Sequence, residues 1–572
     1  MFSAFSVYQK VSLMPTFFQT LKKHYTETPE RIAVTLQFPR EDDRQLSYKS
    51  LLDGANAYAR HYATQGIQRN EVIVLILQHG EDLLYAFWGA ILHGAIPSIM
   101  PFLTEKLSPE RYRADLSSLV SVTKPVAIVT YPEFEGNVRD ALNEDDSVRT
   151  VIISDEVGDA STPDFNLLGG GQDVPDDVVL LQHSSGTTGL QKGVALSHQA
   201  VWNQLEAYGQ SIQLDTEKDV IVSWLPLYHD MGLIASFLLP VLSGVHLVLM
   251  SPFDWVRAPY KLMQSVSQYK GTLTWLPNFA YVFCARKIRA RHLEGVDLSS
   301  WRAIINCSEP VRWESHQAFY EAFKDYGLKL ETLQTSYAMA ENTFGVTQSD
   351  LSRPPAVDEI DAEIFSQKRI AQPPAEGAVA ITMMSSGKPI PNTEVCVLDV
   401  DGNEVPDRVI GEIALKSNCM LTGYYNRPDI TEKSFHGEWY MTGDYGYFVD
   451  GELFVSGRKK EMIIVGGKNI YPLDIETLVY EVEGIHAGRA VAFGIYDEQN
   501  GTEEVVVVAE SDLPEEADQA KLADAVRKYV TTNSAVALRY VQIVPNMWII
   551  KTSSGKPART ANKEKYLKEF AD

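Results

Sequence analysis

The chain has 572 residues, of which 45% are hydrophobic and 22% charged, the balance of an ordinary globular protein with room for several domain-sized units. A formal net charge of −24 argues against nucleic acid or an anionic membrane as the main partner. The cysteines at 284, 307, 396 and 419 form no C-x-x-C pair, which argues against a disulfide scaffold or a zinc site and for reduced thiols in a cytoplasmic protein.

In chain order, Ser47 is placed to cap a helix that carries Leu51, Leu52, Ala55, Tyr58, Ala59 and Tyr62 on one face, with Gly66 at its end. The continuous apolar run 72–77 has the pattern of a strand buried on both faces. The spacing predicts a helix over 81–93 stopped by Gly94, and the buried-strand pattern returns at 126–130, 151–153, 178–181 and 220–224. Such alternation implies α/β layers around a mostly parallel sheet. The stretch 220–250 is apolar but interrupted by His229, Asp230 and Gly232, so it reads as core and not as an integral membrane segment. Asp230 stands where it would cap a helix over 231–239. Beyond Gly387, short strands at 395–398, 412–415 and 452–455 predict a β-rich subdomain. Runs at 491–495 and 505–510 meet across Asn500-Gly501, a hairpin signal, and a helix opened by Pro514 carries Leu522, Val526, Tyr529 and Val530. These textures predict a large α/β N-terminal domain over 1–459 and a small α+β C-terminal domain over 460–572.

The most informative segment is 184–193. Ser184, Ser185, Gly186, Thr187, Thr188 and Gly189 crowd backbone N–H groups and hydroxyls together, and Lys192 follows. Such a loop wraps phosphate oxygens, with the lysine as counter-charge. It is not a Walker A loop, because Gly193 follows the lysine where that pattern needs Ser or Thr.

Further motifs stand in order behind it: Trp224-Leu-Pro-Leu-Tyr-His-Asp-Met-Gly232, Asn306-Cys-Ser-Glu-Pro310, Tyr337-Ala-Met-Ala-Glu341, Tyr440-Met-Thr-Gly-Asp444, 457–467 with Arg458 and Lys460, and Lys551-Thr-Ser-Ser-Gly-Lys556. Together they resemble the adenylate-forming superfamily of acyl-CoA synthetases, adenylation domains and luciferases. Within it the chain looks most like the fatty acyl-AMP ligases, through the stretches 228–233, 450–458 and 467–476, and Pro277-Asn-Phe-Ala-Tyr281. The stretch from Glu341 to Gly387 is also longer than acyl-CoA synthetases usually need, and long for a plain connection. Fatty acyl-AMP ligases carry an insertion here that restrains the C-terminal domain and disfavours free CoA. Ile360, Ile364, Phe365 and Ile370 are placed to pack it down.

The resemblance implies that ATP and a fatty acid give acyl-AMP and pyrophosphate, and that the acyl group then passes to the phosphopantetheine thiol of an acyl carrier protein. The nearest alternative is a fatty acyl-CoA synthetase using free CoA. An amino-acid or aryl-acid adenylation domain, which would need Asp230 free, and a scaffold protein retaining the fold are the more distant ones. By resemblance, residues 184–192 hold phosphates; Thr187 and Glu341 sit near Mg2+; Ser308, Glu309, Tyr337, Ala338 and Met339 line the adenine; Asp444 and Arg458 take the ribose; and His229 orients the carboxylate. Trp224, Met231 and Phe279, with Phe237 and Tyr281, are placed to line an acyl tunnel, and each is equally placed to be core. Lys460 is the hinge, Gly466 and Gly467 meet the pantetheine arm, and Lys556 bridges the carboxylate and the α-phosphate. Three positions depart from the usual pattern: Gln191 for proline, Ser308 for Ala or Gly, and Pro557 after the final lysine. Lys388 shares Ser-Ser-Gly-Lys-Pro with Lys556 but sits in a turn context and reads as structural.

Overall fold

In the computed structural model the described residues are 14–102, 109–184, 192–465, 468–486, 488–497, 502–514, 516–534, 536, 538–552 and 556–570. Two large sheets carry the first part of the chain. One has nine strands, in the order Lys388–Pro389, Gly345–Gln348, Leu333–Ala338, Ala303–Asn306, Leu273–Leu276, Val220–Ser223, His246–Met250, Ile32–Gln37 and Arg44–Ser47. Its middle is parallel and its edges are antiparallel. The other has seven strands, with Val178–Ser184, Ile96–Ile99, Val72–Leu75, Ala127–Thr130 and Thr150–Ile153 parallel and Lys192–Ser197 returning antiparallel.

The helices between the sheets follow from the sequence. Ser47 caps Tyr48–Thr64 by accepting the Ser50 N–H, and all six apolar residues expected on its inner face are buried. Glu81–His93 ends at Gly94, whose φ of 86° no β-carbon would welcome. These two helices approach so closely that a β-carbon on Gly89 would lie 2.6 Å from the Ala55 carbonyl oxygen. The strand expected over 72–77 pairs only to Leu75, although Ile76 and Leu77 stay buried.

A five-stranded antiparallel sheet follows, built on Thr393–Leu398, Gly411–Ser417, Trp439–Val449 and Glu452–Arg458 with Phe435–His436 at the edge. The extra stretch before it is ordered: Val357–Asp361 pairs with Ala380–Met384, and Asp361 caps the helix Ala362–Lys368. Ile360 and Phe365 are buried against Tyr445, Tyr447 and Phe454 of the sheet, whereas Ile364 and Ile370 are only partly buried.

The last hundred or so residues have apolar cores of their own. Ala490–Asp497 and Thr502–Glu510 form the expected hairpin, joined in parallel by Tyr540–Val544. Leu522, Val526 and Val530 of the helix Glu516–Asn533 pack beneath. Tyr529 does not, being 38% exposed; three residues after Val526 and one before Val530, it turns to the flank of the helix. No helix among the described residues is long and apolar enough to cross a membrane.

Candidate active site

The site gathers where parallel strands of the nine-stranded sheet end. Trp224 follows Val220–Ser223, Ser308 follows Ala303–Asn306, and Tyr337 closes Leu333–Ala338 with Met339 just beyond. Loops at the carboxyl ends of such strands are the usual ligand sites of open α/β sheets.

The Tyr337 hydroxyl donates to Asp444 Oδ2 at 2.7 Å, and the Arg458 guanidinium lies 3.3 Å from Oδ1. The register Asp444↔Arg458 across two antiparallel strands sets up that ion pair. Burial raises the Asp444 carboxyl above its usual range, while Arg458 pulls the other way.

Glu341 sits on the tight turn Ala340–Asn342, which ends at Thr343 with a φ of 64°, a costly conformation for a β-branched residue. The Thr343 hydroxyl donates to the Cys419 carbonyl at 2.7 Å and helps to hold that turn. Burial pushes the Glu341 carboxyl upward. Its Oε1 accepts a 2.8 Å hydrogen bond from Tyr424, whose hydroxyl also meets that of Tyr440 at 2.9 Å. Lys192 Nζ stands 4.7 Å from the Tyr424 ring centroid, a cation–π distance. Burial lowers the Lys192 ammonium, and Glu341 opposes that shift.

His229 and Asp230 form one unit, with His229 Nδ1 2.6 Å from Asp230 Oδ1, which also accepts the Met231 N–H at 2.8 Å. The following segment, Met231–Leu238, is wound as a π-helix, a rare form frequent at functional sites. Gly232 is required there, because a β-carbon would lie 2.1 Å from the Pro226 carbonyl oxygen. Burial raises the Asp230 carboxyl, but His229 and the Met231 N–H outweigh it and hold the group below its usual range.

Lys556 reaches this cluster from the last stretch of the chain and donates its ammonium to the Ser308 carbonyl. Ser308 has a φ of 67°, the left-handed conformation that glycine adopts most readily. Its neighbour Glu309 accepts the Phe279 N–H at 2.9 Å. Pro557 pairs across to Lys551 in an isolated bridge, and the Lys556 side chain beside it still reaches Ser308.

Ser185, Gly186, Thr187, Thr188, Gly189, Gln191, Gly466 and Gly467 lie outside the described residues, as does the side chain of Ser184. Lys460 is exposed in a turn between Lys459, bonded to Glu412 at 2.7 Å, and Glu461, paired with Arg559 at 3.4 Å. Lys388 is an exposed edge residue in Lys388–Pro389, away from the cluster. Trp224 and Met231 are buried, and Phe279 is 39% exposed beside Trp224. Phe237 and Tyr281 are core residues, the other reading that the sequence allowed. Phe237 packs on Phe87 and Trp88 between the sheets, and Tyr281 stacks on His316 with its hydroxyl on the Ile304 carbonyl.

Sequence reasoning missed several partners. Tyr424, which links Lys192 to Glu341, lies outside every motif used; its only local signal was Gly423-Tyr424-Tyr425. Arg312 pairs with Asp474 at 2.6 Å, tying the nine-stranded part to the helix Pro472–Tyr480. Arg559 reaches Glu476 on that same helix.

Residues 21–425 match the family of AMP-binding enzymes, and the chain belongs to that family. It is 30% identical to the medium-chain-fatty-acid–[acyl-carrier-protein] ligase JamA of Moorena producens, over 96% of this chain and 94% of that one. It is 29% identical to the long-chain-fatty-acid–AMP ligase FadD26 of Mycobacterium marinum, over 96% of each chain. A solved structure from a study of fatty acyl-adenylate ligases of E. coli and L. pneumophila superposes with a TM-score of 0.88, at 28% identity over 98% of both chains.

Proposed function

We propose that the protein is an AMP-forming ligase that activates a fatty acid with ATP and passes the acyl group to the phosphopantetheine thiol of an acyl carrier protein. In the first step a carboxylate oxygen attacks the α-phosphorus of ATP, the bond to the bridging oxygen breaks, and pyrophosphate leaves. In the second, the thiol sulfur attacks the acyl carbon, AMP leaves, and the thiol proton passes to solvent or a base.

The observation that carries this reading is the convergence of Tyr337, Asp444, Arg458, Glu341, Lys192 and Lys556 on one set of strand ends. Lys556 would match the charge that develops between carboxylate and α-phosphate, a role worth roughly 10²–10³ in rate for a preorganised donor. Asp444 and Arg458 would take the ribose, Tyr337 the adenine face, and residues 184–192 the outer phosphates. Among the described residues no cage of three or more acidic, histidine or cysteine side chains exists. The Glu341 carboxylate suits Mg2+, which binds through one or two carboxylates plus substrate phosphates. When bound, Mg2+ would neutralise phosphate charge.

The fatty acid is preferred over an amino acid because Asp230 Oδ1 is occupied by His229 and the Met231 N–H. The carrier protein is preferred over CoA because of the packed stretch 357–384, whose Phe365 lies 5.9 Å from Tyr471. We place the hinge at Lys460, dividing 1–459 from 460–572; what supports it is that Lys459 bonds backward to Glu412 and Glu461 forward to Arg559. The test is mass spectrometry of adenylate products with fatty acids and amino acids offered in parallel. Acyl-AMP from fatty acids is expected; aminoacyl-AMP alone would overturn the reading.

A further inference from the structure

In a chain of net charge −24, four of the six residues 286–291 are Arg or Lys and none is acidic. Arg286, Lys287, Arg289 and Arg291 are all exposed. Ile288 and Leu293, on either side of the turn Ala290–His292, are buried and anchor the stretch, so the cations are left facing outward. The Arg289 N–H donates to His292 Nδ1 at 3.2 Å. The His292 ring stacks on Tyr260 with centroids 4.4 Å apart, and Gln264 donates to the His292 carbonyl at 3.1 Å. The stretch is thereby pinned to the helix Tyr260–Tyr269 and holds its cations in a fixed array. Among the described residues none of the four has an acidic partner; Arg291 meets the His292 ring at 3.3 Å.

Unpaired like charges side by side repel one another. The helix Asn278–Lys287 gains from cations in its last turn, which accounts for Arg286 and Lys287. Arg289 and Arg291 lie beyond that helix and have no such reason. The same helix joins the array to the site. Its first turn carries Phe279, whose N–H donates to Glu309, the neighbour of the Ser308 that holds Lys556. The ten residues of the helix separate that rim from the array, a span on the order of 15 Å. Resting on the carrier-protein reading above, we propose that Arg286, Lys287, Arg289 and Arg291 form the surface on which an acyl carrier protein docks by an acidic face. Charge complementarity selects this occupant. The rest of so acidic a chain repels an acidic domain, so a productive encounter needs a local array of unpaired cations. A domain docked one helix length from the site leaves the phosphopantetheine arm to carry the thiol to the adenylate. Exposed cations of this kind act chiefly on the encounter rate and lose effect as salt screens them.

The experiment measures kcat/KM for loading a phosphopantetheinylated acyl carrier protein of net negative charge, at low salt and at about 1 M salt, where the screening length falls to about 3 Å. Wild type is compared with Arg289→Gln/Arg291→Gln and Arg289→Glu/Arg291→Glu. Free pantetheine, an uncharged thiol, is the control acceptor, and ATP–pyrophosphate exchange and thermal melting accompany each protein. Charge reversal should lower kcat/KM for the carrier protein about tenfold or more at low salt, through KM and not kcat, with the neutral pair in between. The difference should close at high salt, while exchange and transfer to pantetheine stay at the wild-type level. Equal carrier loading by wild type and a folded reversal variant, or a loss shared equally by pantetheine, overturns the proposal and leaves the carrier reading intact. Wild-type loading that does not fall with salt overturns it too, whether or not the variants fold. If reversal spares loading but abolishes cosedimentation with phosphatidylglycerol vesicles, the array is a membrane surface and the proposal falls. Wild type that makes acyl-CoA and loads no carrier protein overturns the reading on which the proposal rests.

Discussion

Lys556 is the residue on which the proposed chemistry turns. Its ammonium is held at Ser308 by a loop that also pairs Lys551 with Pro557. Lys556→Ala should lower pyrophosphate exchange about 10²-fold or more with no loss of melting temperature. Lys388→Ala, in the other copy of the pentapeptide, should stay within about threefold of wild type, since that lysine is exposed at a sheet edge. A small effect at 556 or a large one at 388 would contradict the assignment. A second residue contributes to the acid sensitivity of the fold. His316 is wholly buried, stacks on Tyr281, and its Nε2 faces the Asn306 amide at 3.1 Å, which favours an accepting, neutral ring. Burial lowers its pKa from 6.5 to about 3. Below pH 6.5 the unfolded chain takes a proton that the folded chain refuses, so stability falls as the pH drops toward 3, by up to about 1.4 kcal/mol per pH unit. Melting curves from pH 7 to 5 should show a shallower decline for His316→Gln than for wild type; equal slopes would remove His316 from the account. That Lys192, Glu341, Asp444 and Lys556 belong together was legible in advance, because they sit in short runs whose Gly, Ser and Thr neighbours carry the signal. Tyr424 was not legible. It is an ordinary aromatic in its own segment, and only tertiary packing brings it to Glu341.

Among the elements, the stretch 357–384 and the helix Pro472–Tyr480 would govern the proposed movement of the C-terminal part through their contacts at Tyr471 and Asp474. Ile360 and Phe365 fill the space under Tyr447 and Phe454, so excising the stretch would uncover the five-stranded sheet as well as release the C-terminal part. A point change is cleaner. Phe365→Ala should loosen the contact with Tyr471 and raise transfer to free CoA. A coupling of about 1–3 kcal/mol corresponds to a 5- to 150-fold change, with acyl-AMP formation nearly unchanged. Unaltered CoA transfer in the folded variant would take away the gatekeeping role. The Arg312–Asp474 pair acts at the same joint from the other side, tying the helix Pro472–Tyr480 while Lys556 is in place. Asp474→Ala should slow adenylation several-fold without weakening ATP binding, because it favours the rotated arrangement; a pure loss of ATP affinity would contradict that role. The Asn500-Gly501 signal between the apolar runs 491–495 and 505–510 predicted the hairpin, and helical periodicity predicted the helix after it, since periodicity is a local property. It misplaced Tyr529 because the one-sided face of that helix is narrower than the run of apolar residues suggests.

For the whole molecule, two α/β sheets present strand ends, an antiparallel sheet supplies Asp444 and Arg458, and a separately cored C-terminal part delivers Lys556. That division suits two half-reactions in which one body keeps the adenylate while the other is exchanged against it. The fold class and the order of parts were readable from the chain, because buried strands and amphipathic helices announce themselves. The contacts that join the parts were not, because single ion pairs such as Arg312–Asp474 leave no periodic trace. The central claim is loading of a carrier protein with a fatty acid. The direct measurement offers wild-type protein ATP, Mg2+ and a fatty acid with free CoA and a phosphopantetheinylated acyl carrier protein together, and follows both thioesters by mass spectrometry. Acyl carrier protein should be acylated while acyl-CoA stays at trace level. Acyl-CoA formed as fast as the carrier thioester would contradict the account and make the protein a fatty acyl-CoA synthetase.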